Sequence, residues 1–479
     1  MIKKFISLAM ALLITTCSLS ACGSQDVKSA MVTEPEDFYA YSFDRFGDEV
    51  MPIGGYIGPT AGFGFQGNYM PSQIDDKHYK MVKDCGVNFI ISRSELDYKV
   101  QPELVKLALE CADRNDVMYF VCDSFLFDVN DTNARNENRY LNVTLDDFKQ
   151  RVSEYSSYPS FAGIYCKDEP FANMFDQISQ IQSYFDRTFD GNKLLYLNSN
   201  SLQCPAGWFG GGPEGTAEER EMTIEGYMDA WFESFPTLGY YSYDTYPFIT
   251  QNPGYIRTDI FRNYSLVRQY CEEYKVPFWP FMQTGEELAA NMRKINRGEM
   301  WWQISTSLAF GAKGYTFYPY NFAAELVNVV EGNDALIGRA GQKNEAWYHA
   351  QEANAQTMAC DHILMKSTYK GMIQTKSGKD DTTNAVPMPE EELSALNGKF
   401  REVVSITGDN AITGCFTYFG KTVLYVVNNS VTLDKAKVNV KFDGNYEFEV
   451  IQRAKSNVLT GNGVNLTFAP GEGALIALH

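Results

Sequence analysis

The 479-residue chain has little histidine: His78, His349, His362 and His479 are all it carries, and they are dispersed. That leaves scant material for a histidine-based metal site or for a serine–histidine–aspartate triad, and no metal or cofactor is expected. Ten cysteines are present, but no close pair has the spacing of a zinc site. Cys17 and Cys22 fall near the N-terminus. The other eight (Cys85, Cys111, Cys122, Cys166, Cys204, Cys271, Cys360 and Cys415) are scattered, several inside apolar strand-like runs, so buried free thiols are expected. Basic charge is short as well. Lys and Arg total 41 against 60 Asp and Glu, and the net charge of -19 disfavours nucleic acid as a partner. Past the N-terminal segment no apolar run approaches the about 20 residues a membrane span needs. Aromatics, by contrast, are plentiful at 14%, with 30 Tyr and 6 Trp. Their faces can stack on sugar rings, and they also fill large cores.

The N-terminus reads as an export signal. Lys3 and Lys4 precede an apolar run from Phe5 to Thr16, too short to span a bilayer. The run leads into Leu19-Ser20-Ala21-Cys22, followed by Gly23-Ser24-Gln25. This resembles the lipobox of bacterial lipoproteins, which implies cleavage before Cys22 and its lipidation. Residues 1–21 would then be signal peptide and 22–36 a lipidated polar tether, placing an exported protein on the membrane through Cys22 alone. An ordinary signal peptide that happens to carry a cysteine is the plainer alternative.

The body alternates short apolar runs with amphipathic stretches. Candidate strands are Met51–Tyr56, Val87–Ser92, Val117–Cys122, Phe161–Cys166, Lys193–Leu197, Gly239–Tyr243, Phe278–Met282 and Gly314–Tyr318. Helix-like segments lie between them, such as Asp75–Cys85, Pro102–Asn115 and Arg297–Phe310. Strands separated by helices imply parallel pairing, and eight of them over about 270 residues predict an α/β fold of the (β/α)8 TIM-barrel type. An open doubly wound sheet would want a Gly-rich turn leading into a helix. Gly54-Gly55-Tyr56-Ile57-Gly58 has no helical pattern after it. A helical region is expected to run on to about Tyr369, and Thr375–Glu392 reads as an exposed connection. From Phe400 the pattern becomes all β, with expected strands Ala411–Phe419, Thr422–Asn428, Lys437–Phe442, Glu447–Ile451, Val464–Phe468 and Ala474–Leu478. Turn signals stand at Asp443-Gly444, Gly461-Asn462-Gly463 and Pro470-Gly471. The expected organisation is a barrel over 37–370, a connection over 371–399, and a small sandwich-like β domain over 400–479.

In a parallel barrel the reactive groups belong at the C-terminal ends of the strands. Reading only those ends gives Arg93 after the second strand, Asp123 after the third, Asp168 and Glu169 after the fourth, and Asn198 and Asn200 after the fifth. Asp244 and Tyr246 follow the sixth, Gln283 with Glu286 and Glu287 just beyond the seventh, and Tyr318 and Tyr320 the eighth. Trp208, in a Gly-rich loop after the fifth, is the candidate sugar platform. Carboxylates, amides and aromatics around one mouth suit glycan chemistry, because glycoside cleavage needs a proton donor and a second group to steady the developing cation.

Gly163-Ile164-Tyr165-Cys166-Lys167-Asp168-Glu169-Pro170 resembles the fourth-strand signature of the large clan of (β/α)8-barrel glycoside hydrolases, β-galactosidase-like members included. Ser242-Tyr243-Asp244-Thr245-Tyr246-Pro247 and Ala309-Phe310-Gly311-Ala312-Lys313-Gly314 are similar to segments of the same clan. The resemblance implies that Glu169 is the general acid/base. Clan members often have Asn where this chain has Asp168, and the adjacent Asp-Glu pair also resembles substrate-assisted N-acetylhexosaminidases. The clan places a glutamate nucleophile at the seventh strand end, where this chain has Gln283, which leaves Glu286 or Asp244 as the second catalytic group. Arg93, Asn198, Asn200, Trp208, Tyr246, Gln283, Tyr318 and Tyr320 would contact an oligo- or polysaccharide substrate. The alternative class is a lipoprotein that binds glycans without cutting them, and the plainer reading of Asp168 or Glu169 is a structural ion pair.

Overall fold

The structure, a computed structural model, describes residues 27–32, 38–65, 68–127, 140–189, 191, 193–205, 207–250, 256–287, 291–322, 335–375 and 386–479. Cys22 and the signal segment lie outside the described residues, as does part of the expected connection.

Eight parallel strands form the body: β1 (Ile53–Tyr56), β2 (Phe89–Ile91), β3 (Met118–Val121), β4 (Phe161–Asp168), β5 (Leu194–Asn198), β6 (Tyr241–Tyr243), β7 (Phe278–Gln283) and β8 (Tyr315–Tyr318). Neighbours run in the order β5-β4-β3-β2-β1-β8-β7-β6. The two ends of the series meet where Ser199 N–H donates to Ser242 O at 2.7 Å, closing the barrel. All eight predicted strands are present, because strands buried on both faces show as continuous apolar runs. The helices between them are amphipathic for equally local reasons. In Pro102–Arg114, proline opens the first turn and Val105, Ala108, Leu109 and Ala112 share the buried face. Leu145–Val152 starts at Thr144, whose hydroxyl caps Asp147 N–H while the Asp147 carboxylate returns to Thr144. Aromatics fill the barrel interior: Phe120 lies 5.0 Å from Tyr196, and Tyr240 stacks on Trp279 at 4.5 Å. The eight cysteines in the described residues are free thiols, six of them buried.

The second domain is one sheet of mostly antiparallel strands: β9 (Ser367–Thr375), β10 (Val403–Gly408), β11 (Ala411–Tyr418), β12 (Lys421–Asn428), β13 (Ala436–Gln452), β14 (Lys455–Phe468) and β15 (Gly473–Leu478). Val438, Val440 and Leu466 share one apolar cluster with Leu424, Val426 and Ile476, so the sheet folds over a core of its own, sandwich-like. Three sequence expectations change. Strand β9 spans the stretch read as the end of the barrel and the start of the connection, since it pairs with β11 along its whole length, Ser367 to Tyr418 through Thr375 to Ala411. Val27 and Lys28, read as tether, pair with Asn445 and Tyr446 of β13. Finally, the two strands expected either side of Asp443-Gly444 are the single strand β13. Asp443-Gly444 and Asn462 fall where the β13–β14 register shifts, and the true reversal is at Arg453-Ala454, with φ of 54° and 55°.

Candidate active site

Strand β4 reaches the mouth with a bulge. Its pairing with β5 slips between Tyr165 and Lys167, and thereafter Asp168 stands opposite Asn198. A bulge re-aims the side chains beyond it. Glu169 follows with φ of 49°, a left-handed backbone that is uncommon for a residue with a side chain, and its N–H donates to Asn198 O at 2.9 Å. The strand can approach β5 closely because Gly163 has no side chain: a Cβ there would lie 1.8 Å from Leu194 O.

Asn198 organises the carboxylates. Its Nδ2 donates to Asp168 Oδ1 at 3.0 Å and to Asp244 Oδ1 at 2.8 Å, while its Oδ1 accepts from Ser242 Oγ at 2.8 Å. Tyr56 Oη donates to Asp168 Oδ2 at 3.0 Å. The Glu169 carboxyl accepts from the neighbouring Asp244 carboxyl and from a backbone hydrogen bond at Ser201. Burial, followed by repulsion from Asp168, raises Glu169 to about 7, and the hydrogen bonds from Asp244 and Ser201 hold it from rising further. Burial, then repulsion from Glu169 and Asp168, pushes Asp244 well above its usual range. Asp244 is buried, whereas Glu169, though crowded by protein atoms at the base of the mouth, is exposed to solvent.

Further round the mouth, Tyr318 Oη donates to Glu287 Oε2 at 2.9 Å. Burial raises the Glu287 pKa, opposed by the Tyr318 hydrogen bond and by the positive charge of Arg93. The Tyr318 ring lies 5.9 Å from both Tyr56 and Tyr246, and the Arg93 guanidinium sits 5.8 Å from the Tyr56 ring centre. A tyrosine pair thus joins Asp168 on one side of the mouth to Glu287 on the other.

Of the residues read from strand ends, the mouth therefore gathers Glu169, Asp168, Asp244, Arg93, Asn198, Tyr246 and Tyr318. Asn198 is a positioning residue rather than a sugar contact, because both ends of its amide are taken. Asn200 is buried, with its Nδ2 unpartnered among the described residues and its N–H on Tyr227 Oη at 3.1 Å. Trp208 stands on the loop after β5. Two further assignments are corrected. Gln283 is fully buried and spent on backbone: its Oε1 accepts from Phe248 N–H at 3.2 Å, and its Nε2 donates to Phe248 O at 2.9 Å and Arg293 O at 2.7 Å. Tyr320 is fully buried beneath Gly55, with Trp347 and Cys85 as neighbours, and does not face the mouth. Glu286 has no hydrogen-bond or ion-pair partner among the described residues; its neighbour Glu287 is the one fixed at Tyr318. Sequence reasoning noted Glu287 but passed over it, and missed Tyr56, which lies at the end of β1. Asp123 is paired with Arg151 at 2.8 Å and belongs to a structural ion pair.

No family model matches the chain, and no curated protein matches it. Among solved structures it is similar to a GH27 β-L-arabinopyranosidase from Geobacillus stearothermophilus in complex with arabinose (TM-score 0.46, 9% identity, covering 91% of this chain and 99% of that one). It is also similar to an α-amylase from Geobacillus thermoleovorans complexed with acarbose (0.45, 10%, 90% and 98%). A third is a GH30 endoxylanase from Clostridium papyrosolvens (0.43, 9%, 94% and 98%). These neighbours are glycoside hydrolases by name; the side chains of the mouth carry the functional argument for this chain.

Proposed function

We propose that the protein is a glycoside hydrolase, with Glu169 as general acid/base, acting on an oligo- or polysaccharide outside the cell, where the Cys22 lipid would hold it. The observation that carries this reading is the hydrogen-bonded Glu169–Asp244 pair at the end of β4 and β6. A general acid must hold its proton near neutral pH and still reach the glycosidic oxygen. Glu169 is raised to about 7 by its surroundings and by repulsion from Asp168, and it is exposed at the mouth. Asp244, in direct contact with Glu169, is too close to serve as the partner on the far side of a sugar, which stands at about 5 to 5.5 Å in retaining and about 6.5 to 9.5 Å in inverting enzymes. We assign the partner's role to Glu287, which Tyr318 orients. A second reading, in which the substrate's own 2-acetamido group attacks, is favoured by Asp168, whose two oxygens are fixed by Tyr56 and Asn198 as a steering group would be.

The test is hydrolysis of aryl glycosides, N-acetylhexosaminides included, by the protein and its Glu169→Gln and Glu287→Gln variants. Loss of turnover in both variants supports the two-carboxylate scheme. Loss in Glu169→Gln alone, on N-acetylhexosaminides alone, supports the substrate-assisted one. Full activity in Glu169→Gln sinks both.

A further inference from the structure

Beside the mouth lies a cavity of about 400 Å3 lined by Gly207, Trp208, Gly212, Pro213 and Arg220, within the size range of small-molecule sites. Another cavity, about 470 Å3, opens at the other end of the barrel among Lys313, Arg268 and Tyr369, away from the carboxylates. The Trp208 cavity, in contrast, is built onto the loop that holds the acid. Ser201 of the same loop binds the Glu169 carboxyl. Ala172 N–H donates to Phe209 O at 2.9 Å and Asn173 N–H to Gly210 O at 2.8 Å, stitching the chain after Glu169 to the cavity's floor. Phe171, two residues past the acid, packs so closely under Gly212 that a Cβ there would fall 2.4 Å from its ring.

Trp208 is 38% exposed, and the other five of the six tryptophans are buried. Arg220 is held beside it, Nε donating to Gly215 O and Nη2 to Pro213 O, each at 2.9 Å. Those bonds leave Nη1 without a partner among the described residues. An indole face and a fixed guanidinium edge recognise a pyranose: the ring's C–H face stacks, and neighbouring hydroxyls accept from the guanidinium. The Glu219 carboxylate lies on the same loop, accepting from Asn173 Nδ2 at 2.7 Å and Thr216 N–H at 2.6 Å and packed against Gly211, so the charge of Arg220 is offset and the sugar the cavity fits is uncharged.

Resting on the hydrolase reading above, we infer that the Trp208–Arg220 cavity is a subsite for an uncharged pyranose of the leaving group, so that the substrate is an oligosaccharide rather than a single terminal glycoside. The general acid protonates the bond oxygen, and what lies beyond that oxygen must rest against the acid's own loop. Trp208 stands on that loop, outside the ring of strand ends where Tyr56, Tyr246 and Tyr318 would enclose the sugar being cleaved.

The full-length protein and its Trp208→Ala, Trp208→Phe and Arg220→Ala variants are assayed on oligosaccharides of cellulose, xylan, chitin and starch, and on the glycosyl fluoride of any sugar turned over. Fluoride fills no subsite beyond the bond that breaks. In Trp208→Ala the ratio of oligosaccharide to fluoride kcat/KM falls about tenfold, the order expected for a lost stacking contact, and Trp208→Phe recovers most of it. Arg220→Ala moves the ratio the same way. An unchanged ratio overturns the subsite, even if both rates drop together. Should the protein cleave nothing, the hydrolase reading fails, and tryptophan fluorescence decides the cavity alone. A spectral shift with the same oligosaccharides that is absent in Trp208→Phe supports a sugar site, whereas a flat titration of the parent overturns it.

Discussion

At the scale of single residues, the proposed chemistry rests on the neighbouring carboxyls of Glu169 and Asp244. Raising Glu169 to about 7 means that the folded protein binds more protons than the unfolded chain between roughly 4.5 and 7, so this group's effect on stability becomes less favourable as pH rises through that window. Two outcomes are expected. The alkaline limb of the kcat/KM profile should fall as pH rises through about 7, and Glu169→Gln should remove about 10²- to 10⁴-fold of the activity while flattening Tm against pH over the same window. Asn198→Ala unties Asp168 from Asp244, so kcat should drop about 10- to 100-fold with the pH limb displaced; a loss of rate with an unmoved limb would mean that Asn198 is merely structural. The place of Glu169 at the mouth was legible from the sequence because a carboxylate before proline at a strand end is a local pattern. Glu287 was not, since three residues of irregular chain separate it from the end of β7, and its place is set by the Glu287–Met292 bridge and the Tyr318 hydroxyl.

At the scale of elements, Gln283 is a clamp between two loops. It satisfies buried backbone groups of Phe248 and Arg293, so Gln283→Leu leaves them unpaired and should cost about 1–3 kcal/mol per orphaned group, seen as a lower denaturation midpoint. The β13–β14 reversal offers the opposite experiment. Ala454 is held at φ of 55°, where glycine meets no steric penalty, and Ala454→Gly should raise stability by about 0.5–1 kcal/mol. The same two residues explain why this turn went unread: neither Arg453 nor Ala454 is a turn residue by composition, while Asp443-Gly444, which is, lies within a continuous strand. Local composition proposes a reversal, but the pairing partner across the ladder decides whether it becomes a turn or a bulge.

At the scale of the molecule, the β domain is docked on the helix Arg297–Ala309, which leads into β8. Trp302 Nε1 donates to Asn429 Oδ1 at 3.0 Å, and a Cβ on Gly298 would sit 2.5 Å from Val431 O. Glu472 is buried at this junction between Arg297 (3.3 Å) and Arg453 (2.9 Å), and its pKa is lowered, burial being outweighed by the Arg453 and Ala469 hydrogen bonds and by charge. Its stabilisation is therefore present above the unfolded carboxylate value and is lost as pH falls through the lowered one. Glu472→Ala should lower Tm at neutral pH and narrow the difference from the parent in acid; two separated unfolding transitions would show that the domains were uncoupled. The number and direction of the barrel strands, the residues at their ends and the change to an all-β tail were written in the chain, because apolar periodicity is a property of neighbours in sequence. Which of those end residues face the mouth was not. Asp244 meets Glu169, Gln283 turns to the backbone and Tyr320 points away, because barrel closure, the bulge in β4 and the paths of the loops fix orientation through contacts between residues far apart in the chain.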